Sequence, residues 1–160
     1  MLAVKLICVG KMREKFYIEA FAEYMKRLQS YCRFELCEIA EQRLSENPGA
    51  GEIAAALQKE AGEILKNIPS DAYVEALCVE GKQFPSEGMA RLITERENSG
   101  KPKLCFIIGG SYGLHDSVKN RADHKLSMSM MTFPHHLARV MLAEQVYRGF
   151  KINEGSRYHK

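Results

Sequence analysis

The sequence predicts an α/β fold: a mostly parallel sheet with helices on both faces. Apolar runs alternate with helical patterns along nearly the whole chain, in the order βαβαβαβ(α)βα. That alternation is the mark of strand–helix–strand units, whose crossovers place helices on both sides of a sheet. At 160 residues the chain is one domain on length, large enough for a single buried core.

The strands come first. LAVKLICVG (2–10), FELCEIA (34–40), AYVEALCVEG (72–81) and KLCFIIGG (103–110) are apolar runs bounded by turn residues. HKLSMSM (124–130) is a weaker candidate. Between the first two, Tyr17, Phe21, Tyr24 and Leu28 share one helix face; further on, Ile53, Leu57, Ala61, Ile64 and Ile68 repeat the pattern up to Pro69. ENPGAGE (46–52) is the loop before this helix, not a linker between domains. Ser86 is a natural N-cap for a third helix over EGMARLITEREN, and Asp116 a natural start for a short one. Pro134 sits in the first turn of the last helix, HHLARVMLAEQVYRGF, where a missing N–H costs little. Leu137, Met141, Ala143, Val146, Tyr147 and Phe150 give that helix more apolar surface than one sheet contact needs, so a two-fold dimer interface is expected.

Composition excludes several classes. No apolar run approaches the roughly 20 residues of a membrane span, and the N-terminus lacks the pattern of a signal peptide. Of five cysteines, none forms a C-x-x-C pair, and Cys8, Cys78 and Cys105 lie in strand-like runs. Buried free thiols and a reducing cytoplasm are expected. Charge is uneven: residues 119–160 carry 8 Lys+Arg against 3 Asp+Glu, while residues 1–118 carry 15 against 17. Such a basic end suggests a polyanionic partner, nucleic acid being the commonest.

In open α/β sheets ligands bind beyond the carboxyl ends of strands, which selects Leu77–Gly81, Gly109–Gly113 and Met128–Phe133. Gly109-Gly110-Ser111-Tyr112-Gly113 also fits G-x-S-x-G, the nucleophile elbow of serine hydrolases. An elbow needs its helix to begin at once, whereas Gly113 and Leu114 precede Asp116. A triad of Ser111 with Asp116 or Asp123 and His135 lacks the usual spacing. Neither G-x-x-x-x-G-K-[ST] nor G-x-G-x-x-G is present. No Cys/His set has metal-ligand spacing, and the adjacent His135 and His136 are expected to diverge on their helix, so no metal is expected. What remains is a glycine turn through which backbone approaches a flat ligand, or a tight turn with no ligand at all.

LICVGKMREKF (6–16), LCVEGKQFPSEGMA (77–90) and the whole run from Ile107 to Lys160 carry a resemblance to a known family. The motifs are IGGS-x-GL, S-x-MTFPH, R-V-x-L-x-EQ-x-YR and a terminal YHK. Together they resemble the ribosomal RNA large-subunit methyltransferase H family of the SPOUT superfamily, over essentially the whole chain. The resemblance implies a C-terminal trefoil knot, with knot and cofactor site in roughly residues 72–160, and a homodimer. It also implies S-adenosylmethionine as methyl donor, without a metal. The implied reaction is methylation of N3 of a pseudouridine in the subunit-interface stem-loop of 23S ribosomal RNA, on assembled ribosomes. By position it implies a cofactor site of Leu77, Gly109, Met128, Ser129, Met130, Met131, Thr132 and Phe133, with Leu77 and Met130 expected to sandwich the adenine.

Loss of the imide proton spreads negative charge that a nearby cation would stabilise. Candidate catalytic residues are therefore His159, Tyr158, Arg139 and His135, with Arg139, Arg148, Arg157 and Lys160 as candidate RNA contacts. Arg148 is equally suited to an i,i+4 ion pair with Glu144. A terminal Tyr-His-Lys is either a frayed tail or an arm reaching a partner's site. A non-catalytic ribosome- or RNA-binding module is the alternative to an enzyme.

Overall fold

A computed structural model describes all of residues 1–160. Ten elements follow one another: β1 (Ala3–Val9), α1 (Lys15–Leu28), β2 (Arg33–Ile39), α2 (Ala50–Asn67), β3 (Tyr73–Lys82), α3 (Ser86–Glu97), β4 (Lys103–Ile108), α4 (Asp116–Arg121), β5 (His124–Leu126) and α5 (His135–Asn153). The strands form one sheet in the order β2-β1-β4-β3-β5, and every pairing is parallel. "Mostly parallel" therefore becomes wholly parallel.

Strand alternation decides which helix lies on which face. Val4, Leu6 and Cys8 of β1 join Phe21 of α1, Met89 and Ile93 of α3 and Leu142 and Val146 of α5 in one core layer. Ile7 and Val9 point the other way, with Ala61 and Ile64 of α2 and Val118 of α4. Residues buried on both faces of the central strands explain why those runs are continuously apolar. Cys8, Cys32 and Cys105 are buried free thiols, each pushed up to about 12 by loss of solvent. No helix is long and apolar enough to cross a membrane.

Several expected boundaries shift. α2 begins at Ala50, inside the expected loop. Ser86 is the first helical residue and not the cap, a place taken by Pro85; its hydroxyl donates to Gln145 Oε1 at 2.8 Å. Pro134 is likewise the N-cap of α5. The largest change is in β5, which stops at Leu126. Beyond it, Ser127 Oγ donates to the Ser129 carbonyl at 3.0 Å and Ser129 Oγ accepts from the Met131 N–H at 3.0 Å. These side-chain bonds curl residues 127–131 into a loop and offer the backbone an alternative to a ladder.

Two glycines sit where chain segments meet at backbone contact. A Cβ on Gly81 would lie 2.6 Å from the Lys125 carbonyl oxygen, and one on Gly109 would lie 2.4 Å from that of Gly113. Both are at the carboxyl edge of the sheet, beside the ligand-sized cavity.

Candidate cofactor and catalytic site

The ends of β3 and β4, the loop between β5 and α5, and the first turn of α5 enclose a cavity of about 820 Å³. That volume suits a nucleoside-sized ligand. Its floor is Ile108 and Gly109, its apolar walls Leu77, Leu114, Leu126 and Met128. The glycine turn is closed on itself: Gly110 and Gly113 form an isolated bridge, and the Gly113 N–H donates to the Gly110 carbonyl at 3.1 Å. Gly113 has φ +81, left-handed backbone that favours glycine.

Of the eight expected cofactor residues, Leu77, Gly109, Met128, Ser129, Met131, Thr132 and Phe133 line this cavity. Met130 does not line it and is 88% exposed, so the expected pairing with Leu77 across an adenine is not formed here. The Ser129–Met131 bond causes this, because it reverses the chain at Met130. Met128 and Leu126 supply the apolar surface in its place.

Nothing in the cavity resembles a hydrolytic triad. Ser111 is exposed, and the buried Nε2 of His135 has no hydrogen-bond partner, facing Gly10 rather than the serine. His135 does line the cavity. Burial, then the neighbouring His136, holds its imidazole below the ordinary 6.5, in the neutral form. The two histidines do not diverge as expected: their rings are 4.1 Å apart, and both Nε2 atoms approach Gly10 beside Glu41. No group of three or more metal-binding side chains occurs.

The expected cations lie elsewhere. Arg139 is 1% exposed and donates to Glu38 Oε2 at 2.7 Å and the Gly10 carbonyl at 3.0 Å. The expectation that it faces RNA or substrate is corrected: it is a buried tie between α5 and the ends of β1 and β2. Arg148 pairs with Glu144 at 2.6 Å and lies 4.8 Å over the Tyr158 ring.

The tail is docked rather than frayed. Tyr158 donates to Glu144 Oε1 at 3.2 Å, and desolvation, followed by hydrogen bonding to Tyr24, pushes its phenol up to about 12. His159 sits 3.0 Å from Glu87 and 3.4 Å from Arg148, while Arg157 and Lys160 stay exposed. None of these tail residues lines the cavity of their own chain. Sequence reasoning also missed Lys119 and Glu80, which line the cavity as an ion pair. They lie 39 residues apart, so no local spacing announced them.

The fold and site define a wholly parallel α/β domain with a nucleoside-sized cavity at its strand ends. A family model described as "Predicted SPOUT methyltransferase" matches residues 2–159. Ribosomal RNA large subunit methyltransferase H of Bacillus pumilus is 46% identical over 157 residues, covering 98% of this chain and 99% of that protein. The protein of that name from Streptococcus uberis is 44% identical with the same coverage. The chain belongs to the SPOUT methyltransferase family and, within it, to the ribosomal RNA large subunit methyltransferase H family. Two solved structures share the fold. A probable methylase family protein from Haemophilus influenzae Rd KW20 aligns at TM-score 0.56 and 15% identity, covering 100% of this chain and 72% of that one. A probable methyltransferase from Bordetella pertussis Tohama I aligns at 0.59 and 12%, covering 92% and 94%.

Proposed function

We propose that this protein transfers a methyl group from S-adenosylmethionine to N3 of a pseudouridine in the subunit-interface stem-loop of 23S ribosomal RNA. It does so as a homodimer in the cytoplasm, on assembled ribosomes. The observation that carries the reading is the cavity, which gathers seven residues expected from the family resemblance at three strand ends. Gly109 leaves room for the tight turn beside the cavity, since any Cβ there would meet the Gly113 carbonyl. Leu77, Met128 and the backbone of residues 128–133 would hold the adenine. When bound, the cofactor supplies an activated methyl group on a positively charged sulfur.

The remaining work belongs to the chain's side chains. N3 would lose its proton, and its electron pair would form the new N–C bond as the methyl's bond to sulfur broke, sulfur keeping that pair; alignment alone lowers the barrier by several kcal/mol. His159 of the partner subunit takes the proton, because no tail residue lines its own chain's cavity. Tyr158, kept neutral by its raised pKa, donates a hydrogen bond or stacks on the base. A groove of about 530 Å³ lined by Tyr24, Phe84, Met89, Val140 and Met141 leaves part of α5 uncovered, which supports a two-fold interface there. A trefoil-knotted C-terminal half is the part of the reading that rests on the family resemblance alone.

Calorimetry with S-adenosylmethionine or its demethylated product is the first test. No heat at millimolar ligand would favour a non-catalytic RNA-binding module. Mass spectrometry of 23S ribosomal RNA from cells lacking the protein then names the nucleotide: loss of a methyl from one pseudouridine is expected.

A further inference from the structure

The basic C-terminal segment that hints at a polyanion is largely neutralised by folding. Of its cations, Lys119, Arg121, Arg139, Arg148 and Lys151 each pair with an acid of the same chain. Besides Arg157 and Lys160 of the tail, two exposed cations outside any ion pair lie in the loop after β1. Lys11 and Arg13 there are exposed; Glu14 beside them lies 3.5 Å from His136, and Glu38 pairs with Arg139 at 2.7 Å. Phe16, next along, is 63% exposed on a protein that hides most of its large apolar side chains.

This loop is a neighbour of the cavity. β1 pairs directly with β4, whose end carries the glycine turn, so the two loops leave neighbouring strands about 5 Å apart. The Gly10 N–H donates to the Ile39 carbonyl at 2.8 Å, binding the loop to the end of β2, where Arg43 is also exposed. Glu41 is exposed and brings its carboxylate near Gly10 and Gly110. The two loops thus expose Lys11, Arg13, Arg43 and Phe16, with Glu14 and Glu41 among them.

We propose that Lys11, Arg13 and Arg43, with Phe16, form the RNA-docking rim of the site: the cations contact backbone phosphates flanking the target nucleotide, and Phe16 stacks on an unpaired base. The inference rests on the RNA-methyltransferase reading and names the surface that reading leaves unassigned. Cations that hold phosphates supply affinity and register without base specificity, and an exposed aromatic adds sequence-tolerant stacking. A protein substrate would not require this combination.

The test compares wild type with Lys11→Gln/Arg13→Gln in steady-state methylation of ribosomes across a salt series, alongside calorimetry with the demethylated cofactor. Lys26→Gln/Lys59→Gln, which removes two cations from the distant α1 and α2 surfaces, is the control. The rim variant should raise KM about tenfold and flatten the slope of log KM against log salt by about 1.4, about 0.7 for each of the two cations. Its kcat and cofactor affinity should hold, and the control should match wild type. A rim variant with wild-type KM and slope, or a control with the same loss, overturns the docking rim. Wild type that methylates no ribosomal RNA overturns the underlying function, and the rim with it.

Discussion

The guanidinium of Arg139, 1% exposed, lies 2.7 Å from the carboxylate of Glu38. This contact joins α5 to the end of β2, and the second bond of Arg139, to the Gly10 carbonyl, draws in β1. α5 begins at the cavity wall, where His135 and Ala138 line it.

Removing one partner should cost more than removing both. Glu38→Ala leaves a buried cation without a counter-charge and should lower stability by about 3 kcal/mol. The double variant Glu38→Ala/Arg139→Met should recover part of that loss. Urea midpoints of the three proteins check this; a single variant as stable as wild type contradicts it.

The glycine turn makes a sharp pair of expectations. Gly109→Ala places a methyl 2.4 Å from the Gly113 carbonyl oxygen, and should destabilise by about 3 kcal/mol and abolish cofactor binding. Gly113→Ala meets open space and faces only the left-handed backbone, a cost of about 1 kcal/mol. Denaturation together with calorimetry separates the two, and equal effects would mean the turn is not as tight as described.

Acid should weaken the fold through His135. Its folded imidazole is held below 6.5 by burial first and by His136 and Arg139 after it, so the unfolded chain takes up the proton more readily. The stability this represents is complete above 6.5, falls as the pH drops below that value, and levels off once the folded imidazole protonates too. His135→Asn should flatten the fall. Urea midpoints measured from pH 7.5 downward decide it, and parallel curves for the two proteins would exclude His135 as the source.

Deleting Arg157–Lys160 should abolish methyl transfer while preserving cofactor affinity. The tail's contacts mean stability will not be untouched: the Tyr158 ring against Arg148 and Tyr147 is worth about 1 kcal/mol. A mixed dimer pairing a tail-less subunit with a Leu77→Glu subunit should retain one working site if the tail acts across the interface. No activity in that dimer would place the tail's action within its own chain.

The strand–helix alternation and the three strand ends were legible because they depend on local patterning: continuous apolar runs for doubly buried strands, and Phe21 and Leu28 on the inward face of α1. The glycine turn was legible as a place where backbone must come close. Exposed Met130 was not, since a single bond from the Ser129 side chain turned it away. Net charge misled for the same kind of reason. Sequence counts cations, but only the folded chain shows which ones meet acids, and Arg139 finds Glu38 across 101 residues. The sequence by itself determined the elements, the parallel class and the sheet edge that bears the site. Tertiary structure alone decided strand order, which histidines converge over Gly10, and which charges remain free, because each depends on contacts between segments that are distant in sequence.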